Sequence, residues 1–256
     1  MLSLLDATAP YIDRFAGIRI STRPDYIDDD VPSLLKSYGV SSIELGAQSM
    51  DDVVLIANNR GHNSDDVVKA AKLIKSHGFS LGLQMMTGLY KSDFNKDVYT
   101  AQRFIDLAPD TVRIYPTVIM KDTDLADKYL ANAFIPYTLE ESVNLCSELI
   151  TMFESANIKI IRLGLHYSDS LVCNSYGNNY HPAFKELCES KIFYDKFVAA
   201  ANKLDNKDKF SVFINQKSLS KFVGQKKSNI IQLQNMGFNF DIKFDNTLEK
   251  YDLYIK

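Results

Sequence analysis

The chain alternates between two periodicities. Five short segments of β-branched and bulky residues, at 17–21, 42–45, 79–86, 111–115 and 158–163, are bounded by Gly, Pro or Asp and separated by stretches of helical spacing. Val67, Ala70, Ala71 and Ile74 recur on one helix face and stop at His77-Gly78, where glycine can take a left-handed cap. Leu139, Val143, Cys146, Leu149, Ile150 and Phe153 mark another face, with Thr138 and Glu141 spaced as a capping box. Cys146 on that stripe reads as a small core residue. Strand, helix, strand in repetition requires parallel pairing through right-handed crossovers. An open sheet and a barrel both satisfy that order. Arg19, Glu44, Arg113 and Arg162 interrupt the strands, and side chains two apart share a face. A polar interior in which opposite charges meet fits a barrel, since isolated buried charges cost several kcal/mol. A complete eight-unit barrel takes about 250 residues. The expected fold is therefore α/β: a partial, incomplete TIM-like parallel β/α barrel with a small C-terminal α+β domain.

Composition sets the remaining bounds. Of 256 residues, 46% are apolar and 24% charged, which excludes disordered and fibrous classes. No apolar run reaches the ~20 residues of a membrane helix. The first residues carry no basic leader, and three scattered cysteines, Cys146, Cys173 and Cys188, make neither a disulfide framework nor a zinc finger. A cytoplasmic, reducing location is expected. The net charge of −3 is uneven: residues 203–256 hold ten lysines against six acids, and the remainder holds 19 basic against 26 acidic residues. The expected division is 1–202 and 203–256, with 203–209 as a linker.

In parallel barrels the chemistry lies at the carboxyl ends of strands. Those ends carry Thr22-Arg23-Pro24-Asp25, Gln48-Ser49, Gln84, Tyr115-Pro116 and His166. In order, the segments 20–25, 43–50, 59–62 (Asn59-Arg60-Gly61-His62), 81–89, 112–117, 180–184 and 189–193 resemble the radical S-adenosylmethionine (SAM) family, in the branch of the catalytic subunit of Elongator. The resemblance covers about residues 17–197. It implies a [4Fe–4S] cluster and SAM at the open end of a partial barrel, and a transfer RNA substrate. By similarity to coproporphyrinogen oxidases of the same family, it places Gln48 and Gln84 at the SAM ribose and Arg60 at its carboxylate, where a guanidinium can give two parallel hydrogen bonds. Backbone near Tyr115 would flank the adenine. Arg23, Glu44, His62, His166 and His181 are further cleft residues. For these residues the alternatives are ordinary: strand-end hydrogen bonds for the glutamines, a pairing with Asp65 or Asp66 for Arg60, an ion network of Glu44 with Arg19, Arg113 or Arg162, and a loop hydrogen bond for His62.

The departures from the family are as informative. Its CxxxCxxC thiolates, which hold the cluster, have no counterpart in the sequence, and its Gly-Leu-Pro-Gly turn reads Gly88-Leu89-Tyr90-Lys91. Cluster assembly depends on thiolate ligation, so this chain alone is expected not to ligate one, and no metal ligands are assigned. It reads as the C-terminal two-thirds of a radical-SAM protein, truncated, split or degenerate. Alternatives are a non-catalytic RNA-binding or assembly subunit and a coproporphyrinogen-oxidase-like enzyme. The tail reads strand, helix, turn, helix, strand, and its Gly224-Gln225-Lys226-Lys227 turn faintly resembles the GXXG loop of KH modules. Lys217, Lys221, Lys226 and Lys227 are its nucleic-acid candidates, with a solvated lysine face as the alternative. The first remaining strand is expected to have an unpaired edge, inviting a homodimer or partner chain.

Overall fold

The computed structural model describes residues 2–177, 179–204 and 209–256 and divides into two units. The first comprises residues 1–138 and 152–180, the second 139–151 and 181–256. Residues 205–208, the middle of the expected linker, lie outside the described residues.

In the first unit, β1 (Ile18–Thr22), β2 (Val40–Gln48), β3 (Ser80–Thr87) and β4 (Thr111–Pro116) are followed by a short β5 (Ile119–Met120), β6 (Lys159–Leu163) and a short β7 (Ser175–Tyr176). Five of these form one sheet in the order β1-β2-β3-β4-β6, each pair parallel. The order never reverses, so each right-handed crossover advances the sheet the same way, as in a barrel that stays open. Ile43, Leu45, Ala47, Leu81, Leu83, Met85, Val112 and Ile114 are buried on one face. The helix Ser64–Ser76 contributes Val67, Ala70, Ala71 and Ile74 to the core. It opens with a capping box of Asn63 and Asp66 and ends at His77, before Gly78 at φ 75°.

The opposite face is polar. Glu44, almost fully buried, forms an ion pair with Arg19, accepts a hydrogen bond from Ser21 Oγ at 3.2 Å, and lies 3.0 Å from Arg113 Nε. That last approach is an ionic contact rather than an aligned hydrogen bond. Arg162 takes no part; its Nε donates to Gly164 O at 3.0 Å. Beyond β4, the antiparallel pair of β5 and β7 and the helix Asp124–Leu130 pack Ile119, Ala126 and Phe134 with Tyr90, Tyr129 and Tyr176. No strand signal at 119–120 or 175–176 was expected from the sequence, because two-residue strands carry no measurable alternation.

The second unit has β8 (Phe210–Ile214), β9 (Phe240–Phe244) and β10 (Leu253–Ile255) in the order β10-β8-β9, with β8 parallel to β9 and antiparallel to β10. Its core joins Phe193, Phe197 and Ala201 of the helix Phe184–Ala201 to Phe210, Val212, Ile214, Phe222, Leu233 and Phe238. The helix therefore groups with the tail, and the unit boundary falls at 180/181 rather than 202/203. The aromatic side of that helix explains the shift: Phe197 meets Phe210, Phe222, Phe238 and Phe240 with centroids 4.7–6.0 Å apart. Among the described residues no helix is long and apolar enough to cross a membrane.

Candidate functional site

The carboxyl ends of β2, β3 and β4 gather the polar groups of the first unit. Between Leu45 and Gln48 the register of β2 against β3 slips, and Gln48 sits at φ 65°. This bulge re-aims the Gln48 side chain, and Gln84 Nε2 donates to Gln48 Oε1 at 3.2 Å. Gly46 permits the arrangement, since a Cβ there would stand 2.8 Å from Gln48 Nε2. The two glutamines are thus hydrogen-bonded to each other at the strand ends.

Arg60 follows the short helix Asp52–Ala57, whose N-cap Asp51 accepts from Val54 N. Its guanidinium is half-buried and meets no carboxylate: Nη2 lies 3.2 Å from Met86 Sδ, and the buried Nε has no partner. Burial lowers its pKa from the ordinary arginine value. The alternative of a pairing with Asp65 or Asp66 is not what forms; Asp66 instead closes the capping box of the next helix. His62, in the same loop, shares a hydrogen bond with Ala47 O through Nε2 at 3.1 Å, while its buried Nδ1 is unpartnered. Thr87 Oγ1 and Thr117 Oγ1, at and just beyond the ends of β3 and β4, are also buried without partners. Four buried polar atoms near the carboxyl ends of these strands thus have no hydrogen-bond partner.

Arg60 and Met86 line a cavity of about 380 Å³, with Tyr90, Thr117, Thr123 and Lys128 among its other walls. Gln48, Gln84 and Tyr115 are not among its lining residues. Tyr115 instead has its hydroxyl 3.4 Å from Arg113 Nη1. Met86 and Gln84 lie two apart on β3 and so share its polar face. The loop after β3 keeps its turn despite the missing proline and glycine: Lys91 takes φ 66°, and buried Asp97 accepts from Gly88 N at 2.8 Å and Ser92 Oγ at 2.6 Å. Burial pushes the Asp97 carboxyl up to about 6, against those hydrogen bonds and one from Tyr137.

Other expected cleft residues have different roles. Arg23 grips Asp25 with Nε at 3.0 Å and Nη2 at 2.6 Å, and lies over the Tyr26 ring at 5.1 Å. It rests against the Arg60 loop through Gly61, where a Cβ would come within 2.6 Å of Arg23 Nη2. Glu44 is a structural counter-ion, held by two arginines and a serine. His166 is exposed in the segment after β6. His181 belongs to the second unit, where its Nδ1 accepts from Ala183 N at 3.1 Å at the start of a helix. Sequence reasoning missed Met86, Thr117, Asp97 and Lys128. Asp97 alone left a signal, an acid on the buried face of a helix just after a glycine turn.

In the second unit Lys217, Lys226 and Lys227 are exposed. Lys221 is not a free cation: its Nζ lies 3.1 Å from Glu189 Oε2, and buried Glu189 also accepts from Tyr251 OH at 2.8 Å. A buried carboxylate requires such partners. Lys226 and Lys227 both adopt left-handed backbone, at φ 52° and 62°. Cys146 and Cys188 are buried in this unit, and burial, with the Cys146 thiol beside it, pushes the Cys188 thiol up; Cys173 lies in the first unit and is exposed. Among the described residues no cluster of three or more His, Cys, Asp or Glu is placed to hold a metal ion.

Comparison with known proteins finds relatives over much of the chain. The description "Radical SAM superfamily" matches residues 3–100, and "Radical_SAM C-terminal domain" matches residues 109–193. A tRNA uridine(34) acetyltransferase of Methanocaldococcus infernus is 31% identical over 137 residues, 52% of this chain and 26% of the relative. Elongator complex protein 3 of Dictyostelium discoideum is 27% identical over 181 residues, 69% of this chain and 31% of the relative. The solved structure of an N-terminally deleted Elp3 from Methanocaldococcus infernus superposes with a TM-score of 0.64 at 25% identity, over 70% of this chain and 42% of that one. The chain thus spans about a quarter to a third of the curated relatives it matches.

Proposed function

This chain belongs to the radical SAM superfamily, in its Elongator-like branch, and on that premise we propose that its first unit is the SAM-holding part of a tRNA-modifying protein. The observation that carries the reading is the half-buried Arg60 guanidinium, whose buried Nε has no partner and which has no carboxylate at ion-pair distance among the described residues, although Asp124 lines the same cavity. Leaving a cation desolvated and unpaired is costly unless an anion arrives. The carboxylate of SAM supplies that anion and suits the planar fork of arginine. Gln48 and Gln84 offer amide groups to ribose hydroxyls. Backbone from Tyr115 to Thr117 offers an edge to adenine, and Met86 a polarizable apolar wall. When bound, SAM supplies a sulfonium whose carbon–sulfur bonds are open to cleavage. The chain's own residues hold and orient it.

The cysteines of this chain do not fit a [4Fe–4S] cluster. Two are buried, with a thiol pushed toward the protonated form, and the third stands in another unit. That mismatch favours a second reading, in which this chain is an RNA-binding or assembly subunit without chemistry of its own. The transfer RNA partner is carried over from the similar tRNA uridine(34) acetyltransferases. The exposed Lys217, Lys226 and Lys227 stand as its phosphate contacts. The outer edge of β1, which pairs only with β2 among the described strands, is where we place a second copy or a partner chain.

Calorimetry of SAM into the full chain tests the reading. Saturable binding that weakens in Gln84→Ala supports it, and absence of heat in the wild type at millimolar SAM contradicts it.

A further inference from the structure

The sheet of the second unit has two chemically different faces. Phe210, Val212 and Ile214 of β8 enter the apolar core, joined by Phe240 and Ile242 of β9 and by Leu253 and Ile255 of β10. Strand alternation puts Ser211, Phe213, Asp241, Lys243 and Tyr254 on the other face. Lys256 continues β10 there, exchanging both backbone hydrogen bonds with Ser211 at 2.7 and 2.9 Å. On this face Phe213 and Tyr254, opposite one another in the β8–β10 register, stack with centroids 4.7 Å apart and planes 8° from parallel.

Two ammonium groups converge on that pair. Lys243 Nζ is 5.8 Å and Lys256 Nζ 5.6 Å from the Phe213 centroid, and Lys256 Nζ is 5.1 Å from that of Tyr254. The carboxylates of the face have partners, and Asp245, whose pKa is lowered chiefly by hydrogen bonds from Thr247, also feels the Lys256 charge. Asp241 pairs with Lys209 at 2.9 Å, and Asp245 accepts from Tyr254 OH at 3.1 Å and Thr247 Oγ1 at 2.6 Å. Neither Lys243 nor Lys256 has a side-chain carboxylate at ion-pair distance among the described residues. Ammonium groups over aromatic faces contribute only about 0.5–1 kcal/mol each to folding at exposed sites, and they match a ligand that presents flat apolar rings and repeated negative charge together.

We propose that this face binds an unpaired strand of nucleic acid, with bases stacking on the Phe213–Tyr254 pair and phosphates meeting Lys243 and Lys256. Base–aromatic stacking needs bases free of a duplex, and it tolerates any sequence because every base has a π-face. The surface is built entirely within the second unit, so it stands or falls independently of SAM in the first. It is also distinct from the lysines of the Gly224 turn, which lie outside this sheet.

Fluorescence anisotropy of the full chain with a labelled single-stranded RNA of 12 nucleotides, and with the same sequence as a duplex, tests the proposal. The single strand binds at least ten-fold more tightly. The double variant Phe213→Thr and Tyr254→Thr, whose solvent-facing threonines suit a strand, loses at least ten-fold, with its fold checked by circular dichroism. Lys243→Ala, a surface change that cannot unfold the core, lowers the slope of log affinity against log salt by about 0.7. The proposal is overturned by equal affinity for duplex and single strand, by no binding at low salt, or by an unchanged salt slope in Lys243→Ala.

Discussion

Arg60 ends on the thioether of Met86, 3.2 Å away, and no carboxylate among the described residues stands at ion-pair distance from it. A charge held in this way is an expense to the fold and an asset to a ligand. Replacing Arg60 by methionine removes the desolvated cation while keeping an unbranched apolar stem. The expected result is a midpoint of urea unfolding equal to or above that of the wild type, with weaker SAM binding. Loss of function with unchanged or higher stability is the signature of a residue kept for its ligand. A loss of more than about 1 kcal/mol of stability would make Arg60 a structural residue.

Glu44 behaves in the opposite manner. It is fully enclosed and neutralises Arg19 and Arg113. Glu44→Ala leaves two guanidiniums without their counter-ion and costs about 3 kcal/mol in chemical denaturation, the range for breaking a buried pair. Retention of wild-type stability would show that solvent already screens both arginines.

Asp97 makes stability depend on pH. With its carboxyl at about 6 in the folded state and about 4 in an unfolded chain, the native protein keeps a proton that the unfolded chain has released. Its contribution is complete below pH 4 and is lost as pH rises through 6, about 3 kcal/mol over that window. Asp97→Asn removes the titration. The difference in unfolding free energy between variant and wild type, measured at pH 4, 5, 6 and 7, should therefore change across the window. A constant difference refutes the assignment.

Much of the fold was legible because its signals are local. Alternation of strand and helix gave the parallel order, and the Val67–Ile74 stripe ending at Gly78 gave the helix and its cap. The charges within strands correctly pointed to a polar face, although Arg162 turns to a backbone carbonyl instead of Glu44. What was not legible depends on contacts across the chain. The helix Phe184–Ala201 joins the tail because of aromatic rings that follow it in sequence, and Lys221 is claimed by a glutamate 32 positions away, so neither could be read from spacing. At the site, motif order singled out Gln48, Gln84 and Arg60, of which Arg60 lines the cavity and the glutamines do not, while the cavity wall from Thr117 to Lys128 comes from short elements with no period of their own.

The turn at Lys226 and Lys227 holds two consecutive left-handed residues that are not glycine. Each carries a steric cost of about 1 kcal/mol. Lys226→Gly should raise the melting temperature, whereas Lys221→Ala should lower it by stripping buried Glu189 of its nearer cation and leaving only Lys250 at 4.0 Å among the described ion pairs. Equal effects of the two changes would show that the lysines share one role.

Anaerobic incubation with iron and sulfide should leave the chain without the brown absorbance near ~400 nm that a thiolate-held cluster gives. A stable cluster on this chain alone would overturn the reading of its cysteines.

The central claim is that Arg60 awaits the carboxylate of SAM, and comparing SAM with its decarboxylated form by calorimetry tests it most directly. The wild type should bind SAM at least ten-fold more tightly than the decarboxylated compound, and Arg60→Met should bind the two equally. A wild type that does not distinguish them, or an Arg60→Met variant that still prefers SAM to the same degree, contradicts the account.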